Sequence, residues 1–552
     1  MKQAVFAPGM KFESNTLYTA PGGEYHITLR DTVALAGKGW TGPEESVNYG
    51  FHLEGLENVT VDLGGAALIF HGRIAPFLID RCRNVTLKNF TVDYDRSFYS
   101  QGELLHIDRE GIRLKWDREN FPFEIVDGVP YAVSETWRAP LDKGHMLWQP
   151  FDPRTQAPAA NAGCILAVFG SDDSSKNPPL PIHHMELAAA EGHVLSIRGE
   201  FPETWRPGMI IAMTHEKRDK NAIAAIYSEN VNVEHVRLLC GASFGFVGFF
   251  SRDITLRHFD MYLDRRSRGL VTLNGDSVHA FHCTGKFLIE DCIFENMLDD
   301  AVNIHGNYNI AEACAGDRLS VRVLAAALDH IEWYRPGDRL AVHRGRTQEI
   351  RREVTVKSSR NTGTRALEVI CDAEDFAEPG DIIELLAMPE ITIRRCISGK
   401  NRPRGFLLSS GGKTLVEECV FNNCSTGIHF TGDTTYWYES GPVRDVTIRH
   451  CYFRDCGYCG DSYPIAADPQ VELSPAAPSF HRNILIEDNV FAGFSNGLLR
   501  ASDSEGIVMR RNTCIATSFY ERRLVEPVVL KNCRNCEIEI PEGVAPDKPV
   551  IS

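Results

Sequence analysis

Short segments of alternating apolar and polar residues recur along the chain. They read ENVTVDLGG from Glu57, RNVTLKNFTV from Arg83, ENVNVEHVRL from Glu229, RDITLRHFDM from Arg252 and GKFLIEDCIF from Gly285. The series continues with PEITIRRCIS from Pro389, GKTLVEECVF from Gly412, RDVTIRHCYF from Arg444, RNILIEDNVF from Arg482 and EGIVMRRNTC from Glu505. Period-2 alternation bounded by Gly, Asn and Asp predicts a half-buried strand followed by a turn. Aligning the segments places Val59, Val85, Val231, Ile254, Phe287, Ile391, Thr414, Val446, Ile484 and Ile507 at one position. The intervals include 26, 23, 33, 23, 32, 38 and 23 residues. Units of this length, with little helical periodicity between them, predict a right-handed parallel β-helix whose coils stack at the spacing of paired strands. Leucine-rich repeats would need LxxLxL, and a propeller would need a regular blade of about 40–50 residues. Neither pattern is present.

Cys292, Cys396, Cys419 and Cys451 fall at one place in their repeats, and Asn489 and Asn512 take that place later. This predicts an interior ladder of small side chains. Two stretches break the pattern. Short strand patterns such as GELLHIDREGIRLKW and CILAVFG, with the turn RPGM at Arg206, precede Glu229. RLSVRVL, EVTVKSS and the turns RPGD at Arg335 and EPGD at Glu378 follow His305. The expected class is therefore all-β: a right-handed parallel β-helix with two inserted antiparallel β-barrel-like subdomains. The expected division is 1–95 N-terminal coils, 96–227 a β-rich insertion, 228–305 central coils, 306–388 a barrel-like insertion and 389–552 C-terminal coils.

Composition narrows the function. Lys+Arg 58 against Asp+Glu 74 gives −16, the wrong sign for a general nucleic-acid binder. No apolar run is long enough for a membrane-spanning helix, and the opening MKQAVFAPGMKFESN lacks the apolar core of a signal peptide. A cytoplasmic protein is expected, or an exported one whose leader has been removed. The sixteen cysteines are expected to be reduced thiols. Cys456-Gly-Tyr-Cys459 has no second pair to make a zinc or redox site, so a structural role is favoured. The Asn-Val-Thr sequons at Asn58 and Asn84 carry no meaning without a secretory route.

The densest polar segment runs from Asn274 to Tyr308 and holds Asn274, Asp276, His279, Asp299, Asp300, Asn303 and His305. Asp276 and Asp299 are 23 residues apart. One coil of that length would put them at equivalent positions of adjacent turns, with Asp300 beside them. Neighbouring carboxylates share protons, and this is what acid–base cleavage of a glycosidic bond requires. The plainer reading is that Asp and Asn fill turns. The density of polar groups favours catalysis. His279, His282, Cys283 and His305 lack zinc-ligand spacing; a carboxylate calcium site stays open. A second segment, HFTGDTTYWYESGPVRDVTI from His429, offers Asp433, Trp437, Tyr438 and Glu439. An aromatic face with carboxylates suits a sugar; the alternative is Trp437 capping the core.

MLDDAVNIHGNY, the NGD one coil before it and TTYWYESGPVRDVTI together resemble glycoside hydrolase family 110. The resemblance covers about 229–515. It implies an inverting, exo-acting α-galactosidase that removes terminal α-1,3-linked galactose from oligosaccharides or glycoconjugates without a cofactor or metal. Asp276, Asp299 and Asp300 would match the catalytic carboxylates. Asn274, His279, Asn303, His305, Asp433, Trp437 and Glu439 would bind substrate. Family members are usually exported, and this chain shows no leader and several Cys-rich coils. Two other readings stand beside it. One is a polygalacturonase-like polysaccharide-degrading enzyme, although the Gly-His-Gly expected one coil on is missing. The other is a non-catalytic carbohydrate-binding β-helix. Neither nucleic acid nor membrane is expected as a partner; a homo-oligomer is compatible with the sequence.

Overall fold

A computed structural model describes residues 1–552 except 39–44, 142–146, 170–181, 216–217, 325–330, 543, 545–549 and 552. Three parallel sheets wind around one interior. The first sheet stacks strands in chain order from Lys2–Val5 to Glu537–Ile538. Its register pairs Val59 with Val85, Val85 with Val231, Val231 with Ile254 and Ile254 with Phe287. Phe287 pairs with Ile391, Ile391 with Thr414, Thr414 with Val446, Val446 with Ile484 and Ile484 with Ile507. The repeat alignment is thus the observed ladder, because a slip of one residue would turn every apolar side chain outward. The second sheet runs through Ile223–Ile226, Phe246–Phe249, Val278–Phe281, Val302–Ala315, Arg404–Leu408 and Thr426–Phe430. The third, shorter sheet runs from Ile293–Glu295 to Thr513–Ala516.

Like residues stack coil on coil. Inside, the ring of Phe453 lies between Phe421 and Phe491, at 4.8 and 4.9 Å and within 8° of parallel. Cys419 and Cys451 direct their thiols at carbonyls of the preceding coil, Ile393 and Val416, at 3.6 and 3.7 Å. Asn489 and Asn512 continue the stack by donating to Ile448 and Ile486, each at 3.0 Å. At the entry to the first sheet Asn58, Asn84 and Asn230 have φ of 56°, 56° and 53°. Asn tolerates this left-handed conformation. Their amides form a chain, Asn230 to Asn84 to Asn58 to Asn15, with steps of 2.9, 2.8 and 2.9 Å. The two sequon asparagines are therefore structural. All sixteen cysteines are free thiols. Cys456 is buried and Cys459 exposed.

Two closed barrels grow from the helix. In the first, strands 147–152, 165–169, 182–191, 194–198, 111–116, 99–107 and 210–214 close a ring. One pair in it, 165–169 with 182–191, is parallel, unlike the antiparallel expectation. The second barrel closes 302–315, 318–322, 366–371, 350–363, 339–343 and 382–385, all antiparallel. The first barrel's apolar core takes in Val271 and Leu298 from the helix. The second covers Phe244, Val247, Phe249 and Phe281. These contacts fix the second barrel on the outer side of the second sheet and the first on the segments that lead into the strands at 278–281 and 302–315.

Candidate active site

The site begins with register. Val278 pairs with Val302, and Val302 with Phe406. Two residues back along the same strands, Asp276 stands over Asp300, and Asp300 over Arg404. Successive coils here differ by 24 residues, not 23, so the expected pairing of Asp276 with Asp299 is corrected to Asp276 with Asp300. The 23-residue interval belongs to other coils, and coil length varies because the turns do. The Asp300 N–H donates to Asp276 Oδ1 at 3.2 Å. Arg404 grips Asp300 through two bonds of 2.8 Å. Asp299 turns toward Arg218, at the end of the first barrel, and toward Arg402 at 3.4 Å.

One oxygen from each of the three carboxylates lies within 4.8 Å of those of the others. Side chains stacked on adjacent coils are held at about the strand spacing. That is tighter than the roughly 6.5–9.5 Å expected between the carboxyls of an inverting pair.

Burial and partners split the three apart. Burial, followed by the charge of Asp299, pushes the Asp276 carboxyl well above the ordinary Asp range. Burial lifts Asp300 to about 7, against the pull of Arg404. Burial also opposes the charge on Asp299, but Arg218, Arg402 and Arg404 outweigh it and hold this group at about 2. Burial thus favours the neutral form of Asp276 and Asp300, while three guanidinium groups favour the charged form of Asp299. The oxygens are close enough to hold a cation. Three guanidinium groups already supply the positive charge that a divalent ion would bring, so the residue set does not favour metal.

His279 Nδ1 lies 2.7 Å from Asp276 Oδ2 and His305 Nε2 lies 3.3 Å from His279 Nε2. Glu439 is 3.7 Å from His305 and accepts from Asn303 Nδ2 at 3.4 Å. It reaches the site because Glu439–Ser440 pairs antiparallel with Gly306 and Asn307. Asn274 donates to the Phe98 carbonyl at 2.9 Å. The Oδ1 atoms of Asn274 and Asn303 are buried without a protein partner. Trp437 is 59% exposed, so it does not cap the core, and it meets Tyr436 edge-on at 4.6 Å. Asp433, expected to bind a sugar hydroxyl, is spent on its own loop. Its carboxylate accepts from Thr435 N and Oγ1, both at 2.6 Å, and from the N–H groups of Tyr436 and Trp437. His282 accepts from Asn307 N at 3.0 Å, and Cys283 faces the helix interior, so no zinc set forms.

The sequence reading missed Arg218, Arg402 and Arg404. Only the polar turn NRPRG from Asn401 hinted at the last two, and the second barrel separates it from the aspartates.

Fold and site together define a parallel β-helix protein with a buried cluster of carboxylates, arginines and histidines beside its second sheet. The right-handed beta helix region family matches residues 382–539. The chain is 29% identical to alpha-1,3-galactosidase B of Bacteroides thetaiotaomicron over 500 residues, covering 88% of this chain and 78% of that protein. It is 26% identical to alpha-1,3-galactosidase A of Bacteroides fragilis over 523 residues, 92% of this chain and 83% of that one. With alpha-1,3-galactosidase A of Shewanella woodyi the identity is 26% over 479 residues, 86% and 76% of the two chains. A solved family 28 exopolygalacturonase of Yersinia enterocolitica aligns at TM-score 0.36 and 10% identity, covering 95% of this chain and 73% of that one. The chain is thus a relative of the alpha-1,3-galactosidases, and the resemblance to glycoside hydrolase family 110 is borne out.

Proposed function

We propose that this protein is an exo-acting glycoside hydrolase that removes terminal α-linked galactose, α-1,3-linked in particular. The observation that carries the reading is the convergence of three carboxyls, each with an oxygen within 4.8 Å of the others, beside Arg218, Arg402 and Arg404, on a chain akin to alpha-1,3-galactosidases along most of its length. Asp276, Asp299 and Asp300 are the acid–base set: one carboxylic acid gives its proton to the leaving glycosidic oxygen as the C1–O bond breaks, and a carboxylate takes a proton from water as the water oxygen bonds to C1. The three act as a coupled set. Asn274 and Asn303 offer acceptor oxygens to sugar hydroxyls, and Trp437 offers an apolar face at the rim.

Inversion is proposed on the family resemblance. The close spacing of the carboxylate oxygens makes the anomer of the first-formed galactose the deciding observation: β from an α-galactoside supports inversion, α overturns it. Sixteen free thiols suit a reducing compartment, and on that ground we propose a cytoplasmic setting. The functional test is release of galactose from a terminal α-1,3-galactosyl oligosaccharide by wild type, Asp276→Asn, Asp299→Asn and Asp300→Asn. Loss in each of the three variants with the fold retained is expected. Near-wild-type activity in all three variants would overturn the assignment.

A further inference from the structure

Cys456-Gly-Tyr-Cys459 is not the only C-x-x-C of the sequence: Cys533-Arg-Asn-Cys536 stands in its last coil. Val508 pairs with Glu537, so Cys536 stands over Ile507 and continues the inward row of the first sheet. Glu505 bridges Arg534, so Cys533 stands over Ser504 at the corner before that row. Asn535, between the two cysteines, has φ of 52°, a left-handed residue that bends the chain so that both side chains turn inward. Both pack against the helix core, and their thiols hydrogen-bond each other.

Contact between thiols is common in this protein; access to it is not. Cys396 hydrogen-bonds Cys292 and Cys419, Cys419 does so with Cys451, and Cys424 with Cys456. All of these are buried. Cys533 and Cys536 are both half-buried at the end of the stack, so a small reagent can reach this pair. A thiolate, not a thiol, attacks a disulfide. The hydrogen bond from Cys533 holds the Cys536 thiol down at about 6, against burial. In the coil before it, burial pushes Cys514 up to about 11. The same bond, followed by burial, raises Cys533. One member is therefore ready to attack, and its neighbour keeps its proton.

We propose that Cys533 and Cys536 are a redox-active dithiol, a modification site at which a low-molecular-weight disulfide of the glutathione class is reduced while the pair closes to an intramolecular disulfide. The Cys536 thiolate bonds to one sulfur of that disulfide, the small molecule's S–S bond breaks, and the released thiolate takes a proton from water. Cys533 then gives its proton to solvent and bonds to Cys536 Sγ. This expels the second small thiolate, which is protonated in turn. Two protein thiols and one small disulfide become one protein disulfide and two small thiols, so electrons and protons balance. The new bond spans the corner that leads into Glu537–Ile538, the last strand of the first sheet, and ties the end of the coil stack. The pair lies on a different sheet from the carboxylate cluster, so its chemistry stands apart from the galactosidase reading.

The test treats the reduced full chain with glutathione disulfide near neutral pH and reads intact mass and peptide maps. Wild type is expected to lose two hydrogens, with the new bond mapped to Cys533 and Cys536 and reversed by dithiothreitol. Cys533→Ser should stop at a glutathione adduct on Cys536, because the resolving thiol is gone. Cys536→Ser should give neither product. Wild type that stays fully reduced, keeps a stable adduct, or is oxidised first at other cysteines would overturn the proposal. Brief iodoacetamide labelling of wild type reads the same chemistry without asking a variant to fold. Near neutral pH, Cys536 is expected to react about tenfold faster than the exposed Cys459. Labelling of Cys536 no faster than of Cys459 would overturn its role as the attacking thiol.

Discussion

Two stacks of charged side chains run along this β-helix, built by the same geometry and ending in opposite electrostatic states. On the outer face of the first sheet Glu290 meets Arg257 at 2.8 Å, Arg394 at 2.5 Å and Arg395, while Arg395 also pairs with Asp291 at 2.7 Å. Further along, Glu417 pairs with Arg449 at 2.7 Å and Glu487 with Arg510 at 2.9 Å and Arg511 at 2.6 Å. Every acid has at least one arginine. Burial opposes the charge on Glu290, but three arginines win and hold it at about 2. Beside the second sheet, Asp276 and Asp300 stack on each other, buried, with Arg404 only at one end. There burial wins, and both carboxyls rise. The comparison shows that stacking alone does not set protonation; the supply of partners and the removal of water decide it.

Taking away Arg404, the arginine on the Asp276–Asp300 stack, should break the comparison most sharply. Arg404→Met leaves Asp300 buried without a partner, expected to cost about 3–5 kcal/mol of stability and most of the activity. Chemical denaturation and kcat/KM check this. Arg449→Met, on the exposed stack, should cost far less and leave turnover unchanged.

The pH dependence of stability should have opposite sign in the two stacks. Asp300 binds its proton more tightly folded than unfolded, having been raised from 3.8 to about 7. Its contribution is present below about pH 4 and is lost as pH rises toward 7. Glu290, lowered from 4.5 to about 2, contributes above pH 4.5 and loses that contribution as pH falls toward 2. Melting curves of Asp300→Asn and Glu290→Gln across pH 3–8 are expected to differ from wild type at opposite ends of the range. Glu290→Gln should leave activity unchanged.

The smallest effect belongs to the rim. Trp437→Ala should raise KM about fivefold, roughly 1 kcal/mol, with kcat and stability nearly unchanged. Unchanged KM would remove Trp437 from the sugar site.

The repeat was legible because the inward-facing row at Val59, Val85 and Val231 must stay apolar on every coil, and period-2 alternation records that constraint directly. The interior ladder at Cys292, Cys396, Cys419 and Cys451 was legible for the same reason. The aspartates stood out by density. Their partners did not. Arg404 lies across an inserted barrel from Asp300, and Arg218 closes the other insertion, so no local spacing joins them to the site. The register of Asp276 was misjudged by one residue because interval arithmetic from the first sheet does not carry to the second. Asp433 looked like a sugar ligand because an Asx-type loop and a binding carboxylate use the same residue; only its four bonds from the loop tell them apart.

The most direct measurement is galactose release from a terminal α-1,3-galactosyl oligosaccharide, followed by NMR, for wild type beside Asp276→Asn and Asp300→Asn. The account predicts free galactose from wild type and turnover lowered by about 10³-fold or more in each variant, with the fold retained. No galactose from wild type, or wild-type turnover from both variants, would contradict it.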